Sequence, residues 1–188
     1  YIDSGEVLNI EPGARIYFHE KAGLYGKGAI KAIGTFEKPI SFSTDRLEEM
    51  YRDIPDKWQG ILIFPNEISS EFENVIIKNA NIGLQVGTIE NEGAANVRLH
   101  NVRIEHMGYA GIFALKSTIK ASNVVVADCG FYCVTLLIGG SYDFNHCTIA
   151  NYWGGYSTSN RQTASVIISN RIEIPTPDGK VVFYGDLH

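Results

Sequence analysis

Arg103, Glu105 and His106 stand almost together in the sequence, and Asp128 follows about one repeat later. These are residue types for general acid–base chemistry. Elimination beside a carboxylate needs a base for the proton and a cation to neutralise the carboxylate; His106 or Arg103 could fill either role. Hydrolysis needs two carboxyl groups, about 5–5.5 Å apart for retention and about 6.5–9.5 Å for inversion. Glu105 and Asp128 are the candidate pair. A structural reading stands beside the catalytic one. Asn and Asp at tight corners satisfy backbone groups and tolerate left-handed geometry, and a histidine there is ordinarily solvated or hydrogen-bonded.

A second group is aromatic: Tyr109, Phe131, Trp153 and Tyr156, with Phe113 and Tyr152 nearby. Sugar rings stack on aromatic faces through their C–H groups, and exposed aromatics mark binding surfaces. Packing of these rings against one another is the alternative. Cys129, Cys133 and Cys147 are odd in number, and no second pair follows at zinc-site spacing. They read as buried thiols, with a Cys129–Cys147 disulfide left open. His146 adjoins Cys147, but neighbours on a strand point to opposite faces. No metal and no cofactor is expected.

The chain has 188 residues, the length of one domain. Its 16 basic and 21 acidic residues give a net charge of −5, which argues against a nucleic-acid partner. Hydrophobic residues make up 45% and charged residues 20%, so a folded core is expected. No apolar run approaches the roughly 18 residues of a membrane span. The sequence opens at Tyr1 rather than Met, which suggests an upstream segment removed, although no signal peptide is visible. No capping element is legible at Gly185–His188.

The elements that must carry these side chains follow from a repeat. Leu99–Glu105 matches Ala121–Ala127 at an offset of 22, and Phe144–Ala150 follows at 23. Phe72–Lys78 lies 27 before Leu99–Glu105, the extra five residues fitting an insertion in Thr88–Gly93. A second register runs through Ile82–Val86, Ala110–Ala114 and Tyr132–Leu136; a third through Val97–Leu99, Ile119–Ala121 and Tyr142–Phe144. Each period thus holds three short alternating segments joined by corners rich in Gly, Asn and Asp. Alternation predicts strands with one buried face. Three strands in about 22 residues leave no room for a crossover helix, so equivalent strands must pair in parallel from one period to the next. The expected fold is all-β: a parallel β-helix of about seven coils, each rising about 4.8 Å.

The inward stacks can be named: Val75, Val102, Val124 and Cys147; Ile77, Ile104, Val126 and Ile149; Leu84, Ile112 and Val134; Phe72, Leu99, Ala121 and Phe144. Outward lines follow: Ile76, Arg103, Val125 and Thr148; Lys78, Glu105, Ala127 and Ala150; Arg98, Lys120 and Asp143. The corner line is Asn79, His106, Asp128 and Asn151. Short strands are also expected at Leu8–Ile10, Ile16–Phe18, Ala29–Ile33 and Pro39–Phe42, with Gly23, Gly26, Gly28 and Gly34 at corners. Residues 45–57 form a charged insertion, read as one helical turn or a loop standing off the coil. Residues 152–164 break the repeat.

Leu8–Phe18, with Gly28–Thr35 and Lys38–Phe42, carries the pattern IEPG…I.F…G.I.A.GT…PI.F. From Val7 to about Trp153 the chain resembles right-handed parallel β-helix proteins of the pectin-lyase-like superfamily, especially secreted or lipid-anchored surface proteins of gut Bacteroidetes. The resemblance implies right-handedness, an extracytoplasmic location, and polysaccharide as partner. The superfamily's enzymes are polysaccharide lyases and glycoside hydrolases. Their Asn-Thr-Asp, Asp-Asp, Gly-His-Gly and Arg-x-Pro-x-x-Arg motifs are not found in this sequence. The expectation is therefore a surface protein that recognises polysaccharide. Its alternatives are a lyase or hydrolase using Arg103, Glu105, His106 and Asp128, and a structural or adhesive spacer that binds another protein.

Overall fold

A computed structural model describes residues 1–89, 93–151, 163–177 and 179–186. Hydrophobic alternation along the chain becomes three parallel sheet faces wound into a solenoid of about six coils, with roughly 23 residues each. The count is one coil fewer than the repeat suggested, because the chain after the sixth coil leaves the parallel pattern. Coil one holds β1 (Val7–Ile10), β2 (Arg15–Phe18) and β3 (Gly23–Gly26). Coil two holds β4 (Ala29–Ile33), β5 (Ile40–Thr44) and β6 (Trp58–Ile63). In later coils strands run through the corners: β7 (Ser70–Lys78), β8 (Ala80–Val86), β9 (Asn96–Met107), β10 (Ala110–Cys129) and β11 (Tyr132–Asn145), closing with β12 (Thr148–Ala150) and β13 (Val166–Ser169).

Face A stacks β1, β4, the first half of β7, the first half of β9, the middle of β10 and the second half of β11. Face B stacks β2, β5 and the ends of β7, β9 and β10 under β12. Face C stacks β3, β6, β8 and the starts of β10 and β11 under β13. All these pairings are parallel, and no α-helix occurs among the described residues.

The inward stacks lie in the expected register. Ile77 sits opposite Ile104, which sits opposite Val126 and then Ile149. Leu84, Ile112 and Val134 do the same on face C. Ile77, Ile104, Leu84 and Ile112 have no solvent exposure. Burying each such side chain contributes roughly 1.5–3 kcal/mol. At the N-terminal end the stacks turn aromatic: Phe18 lies flat on Trp58, centroids 4.2 Å apart, and the Trp58 indole N–H donates to the Lys78 carbonyl at 2.8 Å. Gly23 and Gly26 lie within β3 rather than at corners. Gly60 has φ +117°, and a Cβ there would fall 1.6 Å from the Ile82 carbonyl oxygen. The register shift in β6 sits at this residue, as a bulge demands.

The corner between faces A and B is made by asparagine. Asn74, Asn101 and Asn123 take φ 51°, 53° and 55° on successive coils, and His146 takes 53° above them. Asn tolerates this left-handed geometry better than most residues. The amides also form a ladder: Asn123 donates to Asn101, Asn101 to Asn74, and Asn74 to the Gly34 carbonyl.

Two features go beyond the repeat: an added hairpin, and the docking of the insertion, whose helical turn was expected. After the last coil, β14 (Arg171–Thr176) and β15 (Gly179–Tyr184) form an antiparallel hairpin. Its Ile172 and Phe183 pack on the outward Leu115, Leu137 and Ile138. The insertion at 45–57 contains one 3-10 turn, Glu49–Tyr51. It does not stand off the coil: the Asn79 amide holds the carbonyls of Arg52 and Ile54 at 3.0 and 2.9 Å.

All three cysteines are free thiols, Cys129 and Cys133 buried and Cys147 half-buried. The partner of Cys129 is Cys133, whose hydrogen bond, together with burial, pushes the Cys129 thiol pKa upward. Iodoacetamide on the folded protein is therefore expected to label Cys147 well ahead of Cys129 and Cys133, read by peptide mass spectrometry. Asn101→Ala should cost about 1–3 kcal/mol through lost ladder bonds and left-handed strain. Asn101→Gly should cost less, since it removes the same bonds without the strain; urea unfolding of both variants decides.

Candidate functional site

The outward lines fall where the alternation placed them. Ile76, Arg103, Val125 and Thr148 are in register across face B, as are Lys78, Glu105, Ala127 and Ala150. The polar candidates gather at the corner between faces B and C, but each described contact ties them to the protein itself. Arg103 donates to Glu105 at 2.6 Å, two residues along the same strand face, and the Glu105 side chain is only 13% exposed. His106 sits at φ 58° and Asp128 at φ 52°, in line with Asn79 at φ 65°. Their backbone geometry is that of corner residues.

His106 has a partner that sequence reasoning missed. Its Nε2 lies 3.2 Å from Oδ1 of Asp53, a residue of the charged insertion. Asp53 also faces the Lys78 ammonium at 3.4 Å and the Arg52 guanidinium at 3.6 Å. The insertion is thus held on the corner by polar contacts from coils three and four. The only signal was its charge, which does not say which corner it meets. Burial lowers the His106 pKa, and Lys78 lowers it further; the carboxylates of Asp53, Asp128 and Glu105 oppose the shift without reversing it. Its Nδ1 is buried with no hydrogen-bond partner. The imidazole is therefore neutral near neutral pH.

The aromatic candidates divide. Tyr109 and Phe131 occupy adjacent coils, with the Phe131 amide donating to the Tyr109 carbonyl at 3.0 Å. Their rings are 5.4 Å apart, and Tyr109 also meets Phe113 at 6.1 Å and Tyr132 at 5.9 Å. Burial pushes the Tyr109 phenol pKa up, with Tyr132 adding to it. Phe131 remains 48% exposed. Trp153 and Tyr156, the other two aromatic candidates, lie outside the described residues.

Away from that corner, a groove of about 440 Å³ runs along face B from coil two to coil five. Phe36 and Pro39 stand at one end, Ile76, Arg103 and Val125 form the outward strand line, and the asparagine ladder forms its edge. Phe36 is 88% exposed. Its position in the loop between β4 and β5 hid it from any periodicity argument; a lone aromatic in the Thr35-Phe36-Glu37-Lys38 turn was the available signal. Among the described residues no group of three or more His, Cys, Asp or Glu is arranged to hold a metal, and no helix is long and apolar enough to cross a membrane.

The fold and this outer surface define a parallel β-solenoid with a shallow groove across its coils. Compared with known proteins, the chain matches no family model, no curated protein and no solved structure.

His106 is built to be neutral, so its folded pKa lies below the ordinary imidazole value of about 6.5. The unfolded state then binds more protons between the two values. Stability is expected to be fully present above about pH 6.5 and to fall as pH drops toward the folded pKa. His106→Gln should remove that component of the pH dependence, measured by urea unfolding between pH 5 and pH 8. An identical pH profile in the variant would show that protonation of His106 is not coupled to folding.

Proposed function

We propose that this protein is an extracytoplasmic β-helix that recognises polysaccharide along the groove on face B, as a binding surface rather than a catalyst. The observation that supports this reading is the groove itself: it crosses four coils, and Phe36, 88% exposed, stands at its end. Strands spaced about 4.8 Å apart give it a rigid, regularly stepped floor. Ile76, Val125 and the Phe36 ring offer apolar surface to the C–H faces of sugar rings. The corner amides offer polar groups to hydroxyls, and the Arg103 guanidinium, 58% exposed, keeps N–H donors beyond the one given to Glu105. The resemblance to the pectin-lyase-like superfamily points to the same class of ligand and to a location outside the cytoplasm. The catalytic alternative has less support, because Arg103 is paired with Glu105 and His106 with Asp53.

The test is a panel of pectins, other uronate polymers, host glycosaminoglycans and neutral plant glycans. Binding is followed by calorimetry, and products are sought by mass spectrometry. Saturable binding of at least one polymer is expected, weakened roughly three- to tenfold by Phe36→Ala with an unchanged melting temperature. Absence of binding across the panel, or an unaltered affinity in Phe36→Ala, would overturn the proposal. Shortened products would replace it with the enzymatic reading.

A further inference from the structure

Face A carries a charge pattern that the groove on face B does not use. Its central outward line runs, coil by coil, Lys31, Glu71, Arg98, Lys120 and Asp143. Two cations, Arg98 and Lys120, are therefore in register on adjacent strands, and both are exposed. Like charges placed directly opposite across neighbouring strands repel. Glu71 and Asp143 flank them in register and keep their charge, but among the described residues neither makes an ion pair with Arg98 or Lys120. Glu71 takes the Lys31 ammonium at 2.7 Å, and Asp143 accepts from the Asn145 amide at 2.7 Å. Among the described residues Arg98 and Lys120 make neither an ion pair nor a side-chain hydrogen bond. They border a cleft of about 240 Å³ completed by Ser69, Asn96, Val97 and Thr118. Among the described residues the Asn96 amide and the Thr118 hydroxyl also make no side-chain hydrogen bond, and the two residues pair across adjacent strands, each two positions from a cation.

From this geometry we infer a second binding site on face A, in which Arg98 and Lys120 together hold the single anionic group of an acidic sugar, a uronate carboxylate or a sulfate ester. Two like charges in register on adjacent strands repel each other and gain most from one shared anion, and charge-assisted bonds to guanidinium and ammonium are the strong kind. Asn96, Thr118 and Ser69 place amide and hydroxyl groups where the sugar's own hydroxyls would fall. The flanking Glu71 and Asp143 bracket the pair along the solenoid axis. They disfavour a ligand with closely repeated anions along that axis, a nucleic-acid backbone included. That the ligand is a sugar rests on the polysaccharide reading above; the site itself lies on another face and shares no residue with the groove on face B.

The test is a titration of isotope-labelled protein, followed by amide and side-chain NMR shifts. The probes are glucuronic acid, glucose 6-sulfate, glucose, inorganic sulfate and a single-stranded oligonucleotide. Glucuronic acid and glucose 6-sulfate should shift the resonances of Arg98, Lys120, Asn96 and Thr118; glucose should not, and inorganic sulfate should bind more weakly. Arg98→Gln and Lys120→Gln should each weaken the acidic sugars roughly tenfold. Both positions are exposed, so the variants should melt at or above the parent temperature. Lys180→Gln, which removes equal charge elsewhere, should change nothing. Absence of shifts, equal response to glucose, equal response to bare sulfate, or tighter binding of a single-stranded oligonucleotide would each overturn the inference. Phe36→Ala should leave these shifts intact, so failure here and failure of the groove on face B are distinguishable.

Discussion

Everything in this molecule depends on one constraint: each coil must set its inward side chains on those of the coil below at the spacing of a β-ladder, about 4.8 Å. The hydrogen bonds between coils fix that register, so no side chain can shift sideways to find a better neighbour. Ile77, Ile104 and Val126 are stacked because their backbones are paired residue for residue. Apolar burial and backbone pairing therefore cannot be separated here. A side chain that fits its own coil but not the next would strain the ladder on both sides.

The same constraint falls hardest on the corners. The chain must turn between faces without using more residues than its neighbour, and it does so with one residue in left-handed geometry. Asparagine meets that need twice over at the corner between faces A and B, through its backbone tolerance and through amides that bond from coil to coil. At the corner between faces B and C the equivalent positions are Asn79, His106 and Asp128, which differ in charge. A ladder of like amides cannot form there, and the insertion supplies other partners: its Asp53 meets His106 and Lys78. The residues that looked most like an active site are thus explained first by how the chain turns.

What was legible in the sequence follows this division. The stacks and the outward lines could be read because strand pairing joins residues one period apart, and period is visible. Leu84, Ile112 and Val134 needed nothing else. The contact between Asp53 and His106 joins a residue of an aperiodic insertion to one of a periodic corner, and no spacing predicts it. Phe36 escaped for the same reason, since it lies in a loop and belongs to no stack. The hairpin of β14 and β15 is antiparallel and so falls outside the repeat, although Pro177-Asp178-Gly179 between Arg171–Thr176 and Val181–Tyr184 is a turn signature in sequence. The coil count of about seven exceeds the six observed because the chain after the sixth coil leaves the parallel pattern, its last two strands pairing with each other.

A solenoid that spends every inward position on its own coherence leaves function to the outward positions, and these inherit the regular spacing of the core. An outward line is a row of side chains that the core does not need and whose separations it sets. Where charges in such a row alternate, as Lys31 and Glu71 do, the row is explained by the fold's own electrostatics, and exposed pairs of this kind contribute little. Where two like charges stand in register and neither is ion-paired, as at Arg98 and Lys120, the fold gains nothing from their juxtaposition. The same holds for an aromatic ring left 88% exposed at Phe36. These departures from what folding requires are where the two proposed binding sites lie, on two faces that one extended molecule cannot cover along a single straight line.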